Sequence, residues 1–221
     1  MITVFYSIFV SLYWFVLRYY LLYVFCIYIY RFLYMPKHKK NISLLFIDTE
    51  TTWLSATDQI LQFAAIYWTF DGKNFYEEIR INQYMNITTK INFFAQRVHG
   101  ITKSMVEKYE YIDSYIDHFL THIDKSDYVI GHNISFDIRM LQQDCERIDK
   151  SYDRSGVKTF CTLRDINHIA DLPKKNPKLG LLYSHLFAKE IENAHDAMAD
   201  IEATKDCFLE LAKRGHIELR I

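Results

Sequence analysis

The chain has 221 residues, half of them hydrophobic, and its formal net charge is −1 at pH 7. This length allows one good-sized domain with its own core. The near-zero charge excludes a protein that binds nucleic acid through a global positive field, so any such binding must be local or metal-mediated. The four cysteines form no CxxC pair and no Cys/His cluster at zinc spacing, which excludes a zinc site of that kind and indicates buried thiols.

Residues 1–34 differ from everything that follows. The first seventeen residues carry no charge, and a second apolar stretch follows Arg18. A bilayer core of about 30 Å needs roughly 20 apolar residues, so this segment is long enough for a membrane anchor. The basic run from Lys37 to Lys40 favours a cytoplasmic location for the remainder. The alternative, which stays open, is that Met35 is the true start and that the segment is an upstream extension of the reading frame.

Residues 35–221 are predicted to form one domain that begins with three strands. The predicted strands are ISLLFI, ILQFAAIYWTF and FYEEIRIN. Asp71-Gly72 separates the last two and is a hairpin turn signal. This order predicts an antiparallel meander.

Helices and strands then alternate. Helical spacing of apolar residues predicts a helix from Lys103 to about Asp124. YVIGHN predicts a short strand that leads into the helix SFDIRMLQQDCERI, with Ser135 as its cap.

The last third of the chain continues this alternation. KTFCTL predicts another short strand, and LGLLYSHLF predicts a helix. A final helix is predicted from about Asp196 to Arg214, where Gly215 ends it. The whole pattern indicates an α/β domain with one mixed sheet flanked by helices.

Two carboxylates stand at the end of the first predicted strand. In LLFIDTETTWL, Asp48 and Glu50 follow four large apolar residues, and side chains two apart share one face of a strand. Two like charges about 4 Å apart repel by roughly 4 kcal/mol at an effective dielectric constant near 20. The pair therefore predicts a positive partner beside it.

Further acids occur near predicted helix N-termini. Asp137 lies in GHNISFDIRML, and His195 and Asp200 lie in NAHDAMADIEAT. A lone aspartate at such a position is usually a favourable partner of the helix dipole. A lone histidine more often has a structural role. Only the complete set of acids and histidine predicts a functional site.

The motifs DTET, HNxxFD and AHDAxxD occur in this order, and together they resemble the DnaQ-like 3′–5′ exonucleases of the DEDDh group. That family includes the proofreading epsilon subunit of bacterial DNA polymerase III. VHGIT, from Val98 to Thr102, is a further motif of the family. The resemblance runs from about Leu44 to Ala212 and implies a ribonuclease H-like fold.

The resemblance also implies a chemistry. Asp48, Glu50, Asp137 and Asp200 would bind two divalent metal ions, Mg²⁺ or Mn²⁺, with Asp48 bridging both, and His195 would be the general base. Hard oxygen ligands suit these ions, and their charge would balance the carboxylates. An unperturbed imidazole has a pKa near 6.5 and can take a proton from water near neutral pH. The spacing of five residues between His195 and Asp200 predicts that the histidine lies in the turn before the helix.

Several substrate contacts are implied in the same way. By resemblance, the residues against the terminal nucleotide would be Thr49, Thr51, His99 and Ile101. Asn133 is expected to support the site by hydrogen bonding. Phe136 is a candidate for stacking on a base, but its spacing favours a core position.

We expect a metal-dependent 3′–5′ exonuclease that releases nucleoside 5′-monophosphates from single-stranded DNA ends. Three alternatives stay open: an exoribonuclease that trims short RNA or RNA 3′ ends, a catalytically inactive nucleic-acid-binding module, and a membrane protein with a regulatory soluble domain, which residues 1–34 alone would suggest. Any membrane association would depend on residues 1–34. Because the chain stops at Ile221, soon after the last helix, a stand-alone enzyme is expected rather than a polymerase subunit.

Overall fold

The structure is a computed structural model that describes Arg18, Tyr20, Tyr23, residues 41–153 and residues 155–218. The chain divides into two compact units, Met1–Lys39 and Lys40–Ile221. The three described residues of the first unit are helical and exposed. Apart from them, the anchor predicted for residues 1–34 lies outside the described residues. Within the described part of the chain, no helix has the length and apolar character needed to cross a membrane.

Five strands form a mixed sheet with β1 at its centre. The strands are β1 (Ile42–Thr51), β2 (Ile60–Phe70), β3 (Phe75–Tyr84), β4 (Tyr128–Gly131) and β5 (Thr159–Cys161). Their order across the sheet is β3-β2-β1-β4-β5. The first three strands pair antiparallel, whereas β4 pairs parallel with β1, and β5 pairs parallel with β4. The predicted meander and mixed sheet are confirmed, and β1 and β3 are longer than predicted.

Six helices occur in the described residues after β3. They are α1 (Phe93–His99), α2 (Lys103–Val106), α3 (Ile116–Lys125), α4 (Ser135–Arg147), α5 (Leu179–Phe187) and α6 (Ala197–Lys213). The last three lie where the sequence predicts them. α1 was missed, although it has ordinary boundary residues: the Asn92 side chain accepts a hydrogen bond from the Phe94 N–H, and Gly100 ends the helix with φ of 73°.

The single helix predicted from Lys103 to about Asp124 is wrong. α2 ends at Val106, and α3 begins only after a 3₁₀ turn. Between the two helices, Tyr111 forms a β-bridge with Asn86, and the Asn86 N–H donates to the Glu110 carbonyl at 2.9 Å. Backbone held in this extended pairing cannot continue a helix, so a tertiary contact overrides the helical spacing.

The two faces of β1 pack against different helices, because strand side chains alternate. Even-numbered side chains pack against α6 in a buried cluster that contains Ile42, Leu44, Phe46, Ile201 and Phe208. Odd-numbered side chains pack against α3 and α4 in a cluster that contains Leu45, Ile47, Phe119, Ile138 and Leu141. Each large apolar side chain that is fully buried contributes about 1.5–3 kcal/mol, so the two clusters fix β1 between helices. The predicted burial of thiols is confirmed for Cys145, Cys161 and Cys207.

Candidate active site

β1 carries two of the predicted acids beyond the buried core. Its even-numbered face, which packs against α6, continues through Asp48 and Glu50. Both carboxylates therefore point to the side of the sheet on which α6 lies. Asp48 pairs with Ala64 of β2, and Glu50 pairs with Gln62, so the ladder continues past the acids and fixes their backbones.

The turn before α6 supplies the histidine, and the first turn of α6 supplies a third acid, Asp200. Asp196 caps the helix, because its side chain accepts hydrogen bonds from the N–H groups of Met198 and Ala199. His195 precedes the cap with φ of 72°, and its N–H donates to both carboxylate oxygens of Asp200 at 3.3 Å. Its side chain is exposed. The prediction that His195 lies in the turn before the helix is confirmed.

Asp48, Glu50 and Asp200 meet at one end of the sheet. One carboxylate oxygen of each lies within 4.8 Å of one oxygen of each of the others. All three residues are half-buried. Carboxylate oxygens at such separations are a suitable set of ligands for a hard divalent cation.

Asp137 approaches the site from the opposite face of β1. It lies in the first turn of α4, is 3% exposed, and accepts a hydrogen bond of 2.8 Å from the Thr49 hydroxyl. Thr49 belongs to the odd-numbered face of β1, which is the face that packs against α4. Asp137 therefore stands outside the set of three acids with mutually close oxygens, although its charge acts on Asp48.

A close approach between two backbones positions the start of α4. A Cβ atom on Gly131, the last residue of β4, would lie 3.1 Å from the Ile47 carbonyl oxygen and 3.0 Å from Ile134 Cδ1. Only glycine fits there without displacing a neighbour. The predicted cap at Ser135 is wrong: Ser135 is already the first helical residue, Ile134 holds the cap position, and no side chain caps the helix.

Burial and mutual repulsion raise the pKa values of the acids on β1. The pKa of Asp48 is well above its usual range, first because of burial and then because of Asp137, Glu50 and Asp200. Burial, followed by Asp200 and Asp137, raises the pKa of Glu50 to about 8. Among the described residues, no lysine or arginine forms an ion pair with any of the four acids. The described part of the chain does not supply the positive partner that the sequence predicts.

The two helix-borne acids are affected similarly. Burial raises the pKa of Asp137 to about 7, and the hydrogen bond from Thr49 opposes this shift. Burial also raises the pKa of Asp200, whereas the N–H and the charge of His195 lower it. An uncompensated group of four carboxylates fits divalent cations, because their charge would favour the ionised forms.

Thr49 and Thr51, two predicted substrate contacts, are both buried. Thr49 donates to Asp137 as described, and the Thr51 hydroxyl donates to the Trp53 carbonyl at 2.7 Å. Both hydroxyls therefore hold the end of β1 in place. A contact between these residues and a terminal nucleotide stays a prediction.

The HGIT motif packs beside the end of β1. His99 is half-buried, and its Nδ1 accepts a hydrogen bond of 2.9 Å from the Ile101 N–H. Burial lowers the pKa of His99, and the nearby Thr51 backbone opposes this shift, while the His99 Nε2 is buried without a hydrogen-bond partner. Ile101 is 2% exposed and packs with Leu61 and Val106. The substrate contacts predicted for His99 and Ile101 also stay predictions.

Asn133 and Phe136 flank Asp137 on the other side of the site. Asn133 has φ of 74°, and its Oδ1 accepts a hydrogen bond of 2.9 Å from Arg164. Phe136 packs partly against the core, and the Arg139 guanidinium lies 5.2 Å from its ring centroid. The predicted roles of both residues toward substrate stay predictions, and the structure adds two cations on this side.

Two residues of the site were missed in the sequence. Asp196 adds negative charge that raises the pKa of Asp48 and Glu50, and it accepts a hydrogen bond of 3.3 Å from Gln62. Gln62 is fully buried opposite Glu50, and its Oε1 has no hydrogen-bond partner. Buried polar atoms normally have a hydrogen-bond partner, so the unpartnered Oε1 indicates that Gln62 belongs to the site beside the acids. The signal for Gln62 was its position as the polar residue in the apolar run ILQFAAI.

A family model described as RNase_T: Exonuclease matches residues 45–208. The matched range is well over half of the chain and contains all five members of the predicted catalytic set. Those members are Asp48, Glu50, Asp137, His195 and Asp200.

Two bacterial relatives match over much of the chain. The epsilon subunit of DNA polymerase III from Buchnera aphidicola is 30% identical over 168 residues, which cover 71% of this chain and 67% of that subunit. The PolC-type DNA polymerase III of Oceanobacillus iheyensis is 30% identical over 181 residues, which cover 78% of this chain and 12% of that polymerase.

Solved structures share the fold. E. coli Exonuclease I in complex with a dT13 oligonucleotide matches with a TM-score of 0.64 and 22% identity, covering 78% of this chain and 41% of that one. The nuclease domain of 3′hExo, a DEDDh family member bound to rAMP, matches with a TM-score of 0.66 and 16% identity, covering 81% of this chain and 95% of that one. The chain thus spans less than half the length of Exonuclease I.

These findings confirm three predictions made from the sequence. The mixed sheet flanked by helices is the ribonuclease H-like fold of the solved exonucleases. The family match and the similarity to the epsilon subunit confirm the DnaQ-like assignment and the enzyme class, a 3′–5′ exonuclease. The chain belongs to the RNase_T exonuclease family.

Proposed function

We propose that the chain hydrolyses single-stranded DNA from its 3′ end and releases nucleoside 5′-monophosphates, using two divalent metal ions. The observation that carries this proposal is the uncompensated acidic set, in which Asp48, Glu50 and Asp200 have oxygens within 4.8 Å of one another. The solved complex of Exonuclease I with dT13 supports single-stranded DNA as the substrate class.

The four acids have different proposed positions around the metal ions. Asp48 would hold the metal ions together with the other acids, because it lies among them and each of the other three raises its pKa. Asp137 would be a ligand whose carboxylate Thr49 orients through the hydrogen bond of 2.8 Å. When bound, a metal pair supplies activation of the attacking water and stabilisation of the leaving oxygen.

His195 is the proposed general base. Its backbone N–H donates to Asp200, so the residue is attached to the acidic set while its side chain is exposed. An imidazole in this position would take the proton from the attacking water and pass it to solvent.

A test of this function uses a dT12 oligonucleotide labelled at its 5′ end. With Mg²⁺ we expect a ladder of labelled products that shorten from the 3′ end, release of thymidine 5′-monophosphate, and no reaction in EDTA. Asp200→Asn should be inactive, whereas Asp206→Asn, an acid of the same helix outside the set, should keep full activity. Release of the labelled 5′ nucleotide as the first product would contradict the proposed polarity.

An exoribonuclease is the second candidate. The nuclease domain of 3′hExo bound to rAMP favours it, because the chain covers 95% of that domain. The same assay with rU12 separates the two candidates. A higher kcat/KM for rU12 than for dT12 would favour the exoribonuclease.

Location and partners are proposals from the sequence. The basic residues after residues 1–34 favour a cytoplasmic catalytic domain, with or without membrane association through that segment. Similarity to an epsilon subunit makes a polymerase a candidate partner.

A further inference from the structure

Three aromatic side chains form a surface beside the acidic site. Phe93 and Phe94 on α1 are 67% and 62% exposed. Their ring centroids are 5.7 Å apart, and the Trp53 ring centroid lies 6.3 Å from that of Phe94. We call Trp53, Phe93 and Phe94 the aromatic platform. Exposed aromatic side chains grouped in this way are typical of an interaction surface.

Hydrogen bonds attach the platform to the catalytic end of β1. The Thr51 hydroxyl donates to the Trp53 carbonyl at 2.7 Å, and the Asn92 N–H donates to the Thr52 carbonyl at 2.9 Å. Asn92 is also the residue that caps α1 immediately before Phe93. Trp53 follows Glu50 by three residues, which span at most about 11 Å of extended chain. The backbone of the platform therefore begins within about 11 Å of the backbone of Glu50.

The charge around the platform fits a nucleic acid strand. The segment from Lys90 to Lys103 contains three basic residues and no acidic residue, although the net charge of the whole chain is −1. The guanidinium of one of them, Arg97, lies 5.8 Å from the Phe93 ring centroid. Aromatic faces beside cations are the usual means by which proteins bind single-stranded nucleic acid.

We propose that the aromatic platform stacks on the bases that precede the terminal nucleotide, with Arg97 facing their phosphates. This subsite rests on the proposed exonuclease function and extends it from the terminal nucleotide to the adjoining strand. The two phenylalanine rings have no hydrogen-bonding groups, so stacking on them accepts any base.

The test compares two substrates of the full-length protein. For dT12, the double variant Phe93→Ala/Phe94→Ala should raise KM about tenfold or more, because stacking on each base contributes strongly to binding. For the p-nitrophenyl ester of thymidine 5′-monophosphate, which has no second base, its kcat/KM should equal that of the parent. The matched control is Tyr76→Ala. Tyr76 is an aromatic residue that is 49% exposed and lies at the opposite end of the sheet, so its replacement should change neither the KM for dT12 nor the kcat/KM for the ester.

A second measurement removes the bases instead of the rings. The parent should bind dT12 with abasic sites at the second and third positions from the 3′ end as weakly as the double variant binds dT12. The double variant should show no further loss with the abasic strand. An unchanged KM for dT12 in the double variant, or equal KM values of the parent for abasic and normal strands, would overturn the platform as a base-binding surface and would favour a protein partner there. A parent that hydrolyses neither dT12 nor the ester would instead contradict the exonuclease proposal itself.

Discussion

Individual residues of the site hold one another in place. In the sequence DTE, Asp48 and Glu50 share one face of β1, whereas Thr49 between them points to the other face and donates to Asp137. Asp48 and Glu50 thus place two carboxylates on one side of the strand, and Thr49 orients the carboxylate of Asp137 on the other side. His195 acts similarly on Asp200 through its backbone N–H.

Replacement of His195 tests its role as the base. Asn tolerates the left-handed backbone at φ of 72° better than Ala does, so His195→Asn should keep the N–H donation to Asp200. We expect kcat on dT12 to fall by about 10²–10⁴-fold with an unchanged melting temperature, measured by release of thymidine 5′-monophosphate. His185→Asn, an exposed histidine on α5, is the control and should keep full activity. Full activity of His195→Asn would mean that another group takes the proton.

The site lies where the carboxyl ends of two strands meet the first turns of two helices. β1 and β4 are parallel neighbours, so their carboxyl ends lie at the same end of the sheet. α4 and α6 present their first turns there, with Asp137 and Asp200 in them. The N-terminus of a helix has a partial positive charge, which favours a carboxylate in its first turn. The two helix termini therefore offset part of the repulsion among acids that have no lysine or arginine ion pair in the described part of the chain.

Gly131→Ala tests the approach of β4 to β1. The added Cβ would lie 3.1 Å from a backbone oxygen, which cannot move without shifting β1, so we expect a loss of about 1–3 kcal/mol of stability in urea denaturation. Gly180→Ala is the control, because Gly180 lies in α5 with no atom within 4 Å of an added Cβ. That change should stabilise the protein by about 0.5–1 kcal/mol. Equal stability of the two variants would show that the close approach does not constrain the fold.

In the whole molecule, the acidic set links stability to pH. The pKa of Glu50 is about 8 and that of Asp137 is about 7 in the folded chain, whereas both carboxyl groups titrate near pH 4 when unfolded. Because these pKa values are raised by folding, their contribution to stability is fully present below about pH 4 and is lost as pH rises towards about 8. Divalent cations should oppose the loss, since they bind the ionised carboxylates of the folded state.

The melting temperature in EDTA should therefore fall as pH rises from 5 to 8, by about 5 °C or more. Asp48→Asn removes the acid whose pKa the other three raise. The melting temperature of this variant should therefore fall less than that of the parent over the same pH range. Excess Mg²⁺ at pH 8 should raise the melting temperature of the parent but not that of the variant. Differential scanning calorimetry measures all three effects. A parent whose melting temperature is the same at both pH values would contradict the raised pKa values.

Residues 35–221 should fold and act on dT12 as fast as the full chain. The unit Lys40–Ile221 is compact by itself, and every catalytic candidate lies in it. If only the full chain needs detergent for extraction, the anchor hypothesis for residues 1–34 gains support. Mass spectrometry of the native protein that finds Met35 at the N-terminus would support the extension of the reading frame instead. A folded but inactive residues 35–221 would contradict the domain boundary.

Sequence patterns alone were sufficient for the strands and the family, whereas the roles of the four acids stay predictions. Alternation of apolar residues is a local property, and each of the motifs DTET, HNxxFD and AHDAxxD is recognisable from residues a few positions apart. The same patterns placed Asp48 and Glu50 on one face of a strand and His195 before a helix. These features depend on residues that are close in sequence, so they can be predicted without the tertiary structure.

Other features required the folded chain, because they depend on contacts between residues far apart in sequence. Thr49 and Asp137 are 88 positions apart, and no local pattern indicates that one orients the other. The Asn86–Tyr111 bridge breaks a helix that local spacing favours. The aromatic platform also joins a loop after β1 to a helix some forty residues later, so its position beside the acids follows from packing and not from composition.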